Sequence, residues 1–141
     1  MRIMAIDYGD ARTGVAISDP TGLLAGFTTV INAYRPDRVT GQIALLAKEH
    51  RVERLVLGHP INMDGTRGPR SEKAQAMRQL LEETTGLTVV LWDERRTTID
   101  AHQILMSSGK NAKKRKKVVD AVAASLILEG YLTYLKTHPE G

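Results

Sequence analysis

Three short apolar segments near the start of the chain predict strands. They run from Arg2 to Asp7, from Thr13 to Ser18 and from Phe27 to Ile31, with turn-forming residues between them. Short segments that are rich in β-branched residues and joined by tight turns are typical of antiparallel hairpins. We therefore expect a meander of three strands in which Asp7 ends the first strand.

The rest of the chain alternates between strands and helices. Apolar runs predict strands from Arg54 to Leu57 and from Leu87 to Trp92. The order of elements predicts a single α/β domain over residues 1–141, with a mixed five-stranded sheet and helices on both faces. Apolar residues at helical spacing predict the helices, which are expected around Val39 to Ala47, from an N-cap at Ser71 to Gly86, from Thr97 to Gly109 and from Val119 to Gly130.

Composition limits the chemistry that the chain can support. There is no cysteine, which excludes disulfides, thiolate zinc sites and cysteine nucleophiles. Any metal must therefore bind oxygen or imidazole ligands. No apolar stretch is long enough to span a bilayer, and Met1 and Arg2 lead directly into the first strand without a signal-peptide pattern. We expect a protein that does not bind membranes, and the lack of cysteine is compatible with a reducing cytosol.

The net charge of +4 comes from one short segment, which we call the basic run. Residues 110–117 contain six basic and no acidic residues, and the remainder of the chain has 14 basic and 16 acidic residues. Such a run is either a solvated loop or an electrostatic surface for nucleic acid or another acidic partner. Charge alone does not distinguish the two.

Acidic residues adjoin three of the predicted elements. Asp7 ends the first strand, Asp93 and Glu94 follow the fifth strand, and Asp120 lies in an apolar stretch of small residues in the first turn of the last helix. The carboxyl ends of parallel strands meet in one crevice, so Asp7 and Glu94 come together if the first and fifth strands are parallel. Each acid also has a plain structural explanation: a turn for Asp7, a charged loop for Glu94 and an interaction with the helix N-terminus for Asp120.

Three carboxylates that converge from distant positions suit a hard divalent cation. Magnesium binds a few carboxylates, keeps water ligands and leaves room for phosphate oxygens. Such ions activate water and stabilise the leaving oxygen in an in-line displacement at phosphorus. The acids therefore favour a metal-dependent site with Mg²⁺ or Mn²⁺ as the cofactor.

The loop from Gly58 to Gly65 gives a weaker signal. Its glycines allow a phosphate to approach the backbone and Asn62 can donate a hydrogen bond, but the spacing is not that of a P-loop. An ordinary structural loop explains the same residues. His59 and His102 have no partner in the sequence pattern, and we interpret both as structural or surface histidines.

Four segments of the chain together resemble the YqgF family, also called RuvX. They are DYGDARTGVA from Asp7, GHPINMDG from Gly58, DERRTT from Asp93 and VDAVAASLIL from Val119. The motifs occur in the family's order and extend from the first strand to the last helix. His59 departs from the family pattern, which more often has an apolar residue there.

The resemblance implies a ribonuclease-H-like fold, related to Holliday junction resolvases, and a cytoplasmic nuclease. It implies that Asp7, Glu94 and Asp120 form the catalytic and metal-binding cluster. Asp93 is implied to replace or assist Glu94. The nucleic acid is therefore expected to be cut at a carboxylate cluster that holds divalent metal.

The resemblance also changes the interpretation of the basic residues. Arg12 and Arg95 are implied to contact phosphate or to brace the carboxylates. The basic run now lies directly before the helix that carries Asp120, so we interpret it as a flexible phosphate-binding loop. The substrate-binding candidates are Arg12, Asn62, Arg95, Lys113, Lys114, Arg115 and Lys116.

The implied substrate is the precursor of 16S ribosomal RNA, processed at its 5′ end, and the alternative is branched DNA cut by a Holliday junction resolvase. A sugar-kinase-like phosphotransferase is a rival, but it needs a second domain for which 141 residues leave no room. A non-catalytic nucleic-acid-binding protein fits the basic run but not the acids, because acids repel phosphate unless metal intervenes. The sequence leaves open a monomer or a two-fold homodimer.

Overall fold

The computed structural model describes residues 1–19, 25–60, 65–93 and 112–138. Within these ranges it contains five strands and three helices. The strands are β1 (Ile3–Asp7), β2 (Arg12–Ser18), β3 (Ala25–Asn32), β4 (Arg54–His59) and β5 (Thr88–Asp93). The helices are α1 (Pro36–Glu49), α2 (Pro69–Thr85) and α3 (Ala112–Thr137). The predicted helix from Thr97 to Gly109 lies outside the described residues.

The five strands form one mixed sheet in the order β3-β2-β1-β4-β5. Strand β2 pairs antiparallel with both β1 and β3, which confirms the predicted meander. Strand β4 pairs parallel with both β1 and β5. Helix α1 precedes β4 and helix α2 precedes β5, and each helix returns the chain to the edge of the sheet where β1 begins. The carboxyl ends of β1, β4 and β5 therefore share one edge, which we call the carboxyl edge.

Helices cover both faces of the sheet, as predicted. Side chains alternate between the faces along each strand, and each set packs into its own core. On the face that we call the α1/α2 face, the core includes Met4, Ile6, Leu55, Leu57, Val39, Ile43, Met77 and Leu81. On the α3 face, the core includes Ile3, Ala5, Ala16, Val56, Trp92, Ala124, Ile127, Leu128 and Tyr131.

The predicted start of α2 is wrong by three residues. The helix begins at Pro69, with Gly68 as its N-cap in an extended conformation, and Ser71 is the third helical residue. Proline suits the first helical position because its fixed φ fits the helix and its missing N–H has no partner there. The end of α2 is as predicted, since Gly86 adopts a left-handed conformation with φ of 71°.

The basic run was predicted as a loop, and this prediction is wrong from residue 112 onward. Helix α3 begins at Ala112, so Lys113, Lys114, Arg115 and Lys116 are helical. Lysine and arginine are good helix formers, and the run continues a helix whose later turns are packed on the sheet. Asp120 is consequently the ninth helical residue. The proposed interaction with the helix N-terminus fails, because that effect is confined to the first turn.

Candidate functional site

Asp7 occupies the carboxyl edge at the centre of the sheet. It is the last residue of β1 and pairs with Gly14 of β2. On its other side, Ile6 pairs with Leu57, so the next position of β4 toward the edge is Gly58. Because neither neighbouring strand carries a side chain at this level, the sheet around the half-buried Asp7 leaves space for a ligand.

Two of the predicted site residues share the α3 face. Ile3 and Ala5 of β1 belong to the core under α3, so strand alternation assigns Asp7 to the same face. Ala16 of β2 also belongs to that core, and the same alternation assigns Arg12 to it. The structure therefore combines a carboxylate and a guanidinium, both half-buried, on one face of the carboxyl edge.

Asp93 lies on the opposite face. Trp92 packs in the core under α3, so alternation along β5 turns Asp93 toward the α1/α2 face. There it is the register partner of His59 on β4. The two acids that end β1 and β5 thus reach the same edge, as predicted, but from different faces of the sheet. Glu94 lies outside the described residues.

His59 is a buried structural histidine, as predicted, and it has a partner that the sequence did not reveal. Its side chain is 6% exposed, and its Nε2 lies 2.6 Å from Ser71 Oγ. Gln75 Nε2 donates a further hydrogen bond to Ser71 Oγ at 3.3 Å. Burial lowers the pKa of His59, the nearby Arg67 cation lowers it further, and the carboxylate of Asp93 opposes both effects.

A small cleft of about 100 Å³ opens at the carboxyl edge. Asp7 and Gly58 line it from the sheet, and two cations, Arg70 and Lys73, line it from the first turns of α2. Lys73 Nζ lies 3.0 Å from Asp10 Oδ1, and both groups are exposed. The cleft therefore brings two cations close to the carboxylates of Asp7 and Asp10, an arrangement that can hold a phosphate group when a metal ion offsets the acids. Sequence analysis missed Arg70 and Lys73, because nothing in their spacing links them to Asp7.

Tyr8 forms part of the cleft wall. Burial raises the pKa of its phenol, and the carboxylate of Asp10 raises it further, while the ammonium of Lys73 acts in the opposite direction. The phenol therefore stays protonated at neutral pH. It supplies a hydrogen-bond donor and an aromatic surface rather than a base.

Several predicted residues lie outside the described part of the chain. Asn62 and Arg95 are among them, as is Lys110. For Asp120 and for residues 113–117 of the basic run, the backbone lies in α3 and the side chains are outside the described part. Among the described residues, no group of three histidine, aspartate or glutamate side chains is arranged to hold a metal ion. This finding does not bear on the predicted trio, since it excludes Glu94 and Asp120. No helix in the described ranges is long and apolar enough to cross a membrane.

Comparison with known proteins supports the resemblance found in the sequence. The family model "RuvX: Holliday junction resolvase" matches residues 1–134. A protein of Halothermothrix orenii named "Putative pre-16S rRNA nuclease" is 45% identical over 134 residues, which cover 95% of this chain and 96% of that protein. A Bacillus subtilis protein of the same name is 44% identical over 137 residues, which cover 96% and 99% of the two chains.

Solved structures with the same fold include two resolvases. RuvC of T. thermophilus, in complex with a Holliday junction substrate, has a TM-score of 0.63 at 15% identity and covers 95% of this chain and 96% of that chain. Fowlpox virus resolvase, in complex with Holliday junction DNA, has a TM-score of 0.56 at 13% identity, with coverage of 96% and 99%. At this identity the likeness concerns the fold, and it confirms the predicted ribonuclease-H-like sheet.

Proposed function

Because the chain belongs to the RuvX family, also called YqgF, we propose that it is a nuclease that hydrolyses phosphodiester bonds in structured nucleic acid. The observation that carries this proposal is Asp7, a carboxylate at the carboxyl edge between the strand positions of Gly14 and Gly58. The names of the relatives support the precursor of 16S ribosomal RNA as the substrate. The family's description supports junction DNA as the second candidate.

The residues present fit a divalent metal at Asp7. Carboxylate oxygens are the ligands that Mg²⁺ and Mn²⁺ prefer, and the glycine positions on both sides leave room for an ion with its water ligands. Arg12 on the same face offsets part of the negative charge of the carboxylates. When bound, a divalent ion supplies Lewis-acid activation of the phosphate and of the attacking water.

We propose Glu94 and Asp120 as the other metal ligands. Asp93 faces the α1/α2 layer, which leaves Glu94 as the acid of this pair for the site on the α3 face. Asp120 belongs to the helix that covers the α3 face. A carboxylate at its ninth position has no helix-terminal role, which favours a functional one.

The length of α3 supports the role of Asp120. Arg54 Nη1 donates a hydrogen bond of 2.8 Å to Tyr131 Oη, and Arg54 pairs with Ile3 at the opposite end of β1. Along the helix axis, residue 120 precedes Tyr131 by about 16 Å. Along the strand, Asp7 follows Ile3 by about 13 Å. Helix α3 is therefore long enough to bring residue 120 to the level of the carboxyl edge.

Basic residues on several elements are proposed to hold the phosphate backbone. Arg12 lies on the face of Asp7, and Arg70 and Lys73 line the cleft. Residues 112–117 of the basic run are helical and belong to the first turns of α3. Asn62 and Arg95 keep their predicted roles in phosphate contact. A cytoplasmic location and a monomeric or dimeric state also stay predictions.

The proposal is tested by a cleavage assay that offers a precursor of 16S ribosomal RNA and a DNA four-way junction in parallel. With Mg²⁺ or Mn²⁺ we expect cleavage of the RNA near the mature 5′ end, and no cleavage in excess chelator. Preferential cleavage of the junction would identify a resolvase instead. Full activity in chelator, or binding of both substrates without any cleavage, would contradict a metal-dependent nuclease.

A further inference from the structure

An apolar groove lies next to the cleft and shares a wall with it. Tyr8, Asp10 and Lys73 line both depressions. The groove, of about 410 Å³, continues from this wall between Tyr34 and the exposed side of α2, where Leu80 is partly exposed. The ion pair of Lys73 with Asp10, at 3.0 Å, forms the ridge between cleft and groove. A strand that enters the cleft can therefore cross this ridge into the groove.

Tyr34 makes the rim of the groove aromatic. Its side chain is 80% exposed, yet the backbone on both sides of it is fixed. The amide N–H of Ala33 donates to the carbonyl oxygen of Ala11 at 3.2 Å, and the carbonyl oxygen of Arg35 accepts from the N–H groups that open α1. A ring on a rigid backbone loses little entropy when a planar group stacks on it.

The chemistry of groove and ridge matches one unpaired nucleotide. Every nucleobase has a π-face that stacks on an aromatic ring, and Tyr34 with the apolar side of α2 offers such a surface. Lys73 on the ridge can leave Asp10 to contact the phosphate that joins this base to the strand in the cleft. A base within a duplex is already stacked and paired, so the groove selects an unpaired one.

We propose that this groove binds an unpaired base of the strand whose phosphodiester bond enters the cleft, with Tyr34 as the stacking residue. The inference rests on the proposed function and deepens it, because it specifies a substrate with an unpaired nucleotide next to the phosphate that enters the cleft. A nucleotide matches both parts of this surface, since its base fits the apolar wall and its phosphate can pair with Lys73 on the shared ridge.

The test measures RNA binding by Tyr34→Ala and Tyr34→Phe, made in an Asp7→Asn background with Mn²⁺ so that the RNA stays intact. The probes are an RNA hairpin with a 5′ unpaired extension containing 2-aminopurine, the same hairpin with an abasic extension, and a fully paired duplex. Leu45→Ala is the matched control, because Leu45 is 69% exposed on α1 and does not line the groove.

We expect Tyr34→Ala to bind the 2-aminopurine hairpin roughly tenfold more weakly and to lose the fluorescence quenching that stacking causes. Tyr34→Phe and Leu45→Ala should bind and quench as the parent does. The paired duplex and the abasic hairpin should bind all variants alike.

Three outcomes would overturn the inference. In the first, Tyr34→Ala binds all three RNA probes as tightly as the parent does. In the second, Tyr34→Ala weakens the binding of all three probes equally. In the third, it changes only the self-association of the protein in sedimentation, which would make the groove a protein contact. Failure of the proposed function has a different signature: the wild-type chain then neither cuts nor binds any of the nucleic acids, and no quenching appears with Tyr34 intact.

Discussion

The two faces of the sheet differ most at the carboxyl edge. On the α1/α2 face, the polar groups there are buried and bonded to one another, as in the contact of His59 with Ser71 at 2.6 Å. On the α3 face, Asp7 is half-buried and lies between strand positions held by Gly14 and Gly58. One edge of one sheet thus carries a satisfied polar cluster on one face and the Asp7 carboxylate on the other, while the cleft that Asp7 helps to line is bounded by Arg70 and Lys73 of α2.

The packing of the two faces follows the same division. The buried side chains of the α1/α2 core are all aliphatic or methionine, whereas the α3 core also contains an aromatic cluster in which Trp92 and Tyr131 meet edge to face at 5.8 Å. A Cβ on Gly130 would lie 3.1 Å from Trp92 Cζ2, so a larger residue there would crowd the indole ring. We infer that Gly130 lets α3 pack closely on Trp92.

The largest expected effect on stability concerns the aliphatic face. Leu57 is fully buried in the α1/α2 core, and Leu57→Ala should lower the free energy of unfolding by about 2 to 5 kcal/mol, because it leaves a cavity. Urea denaturation measures the loss. The exposed Leu45→Ala is the control and should change stability by less than about 0.5 kcal/mol. If this face is structural, as argued above, cleavage per folded molecule stays unchanged in Leu57→Ala.

The next effect concerns the polar cluster on the same face. His59→Leu should cost about 1 to 3 kcal/mol, because it leaves the buried hydroxyl of Ser71 short of a partner. The loss should depend on pH. Since the pKa of His59 in the fold is below its ordinary value of 6.5, the unfolded chain binds more protons, and the wild type loses stability as pH falls below about 6.5.

Unfolding free energies of both proteins between pH 5 and pH 8 test this prediction. The wild-type curve should fall toward acid more steeply than that of His59→Leu. Adding Ser71→Ala to His59→Leu should restore part of the stability, because both partners are then removed. If the unfolding free energies of wild type and variant change with pH in parallel, protonation of His59 does not destabilise the folded protein.

On the α3 face we expect an effect on binding instead of stability. Replacing Lys113, Lys114, Lys116 and Lys117 with Gln keeps helix propensity and removes four positive charges. In a plot of the logarithm of RNA affinity against the logarithm of salt concentration, each lost phosphate contact should reduce the magnitude of the slope by about 0.7 to 0.9. Lys136→Gln, at the other end of α3, is the matched control and should leave the slope unchanged. An unaltered slope in the fourfold variant would mean that the run is only solvated.

The smallest expected effect is the change in melting temperature that Asp7→Asn causes. Carboxylates that converge on a site without metal repel one another, so Asp7→Asn should melt at or slightly above the wild-type temperature in chelator. Mn²⁺ should raise the melting temperature of the wild type more than that of the variant, because the unfolded chain has no assembled site. A melting temperature well below wild type in chelator would make Asp7 a structural partner.

Much of the fold could be predicted from the sequence, because the apolar runs are short and well separated. The strand that ends at Asp7, the mixed five-stranded sheet and the helices on both faces all follow from such runs, whereas the parallel orientation of β1 and β5 was left open. The helical basic run was missed for a physical reason. Its charged residues carry no apolar periodicity, and its helix is continued from later turns that pack on the sheet.

The site was less predictable than the fold. Asp7 and Arg12 could be identified from the motif, but the assignment of Asp93 to the other face requires the register of β5. The pairing of His59 with Ser71 depends on where α2 begins, and Pro69 rather than Ser71 sets that point. Lys73 reaches Asp10 across 63 residues of sequence, a distance over which local patterns carry no information.

We infer that the reaction occurs on the α3 face, and a comparison of cleavage by Asp7→Asn and Asp93→Asn distinguishes the two faces. Both changes remove one carboxylate from the same edge, one on each face. With Mn²⁺ and precursor ribosomal RNA, Asp7→Asn should lose activity by at least about a hundredfold, while Asp93→Asn should retain most of it. Equal losses of activity in both variants, or a larger loss in Asp93→Asn, would show that the reaction is not confined to the α3 face.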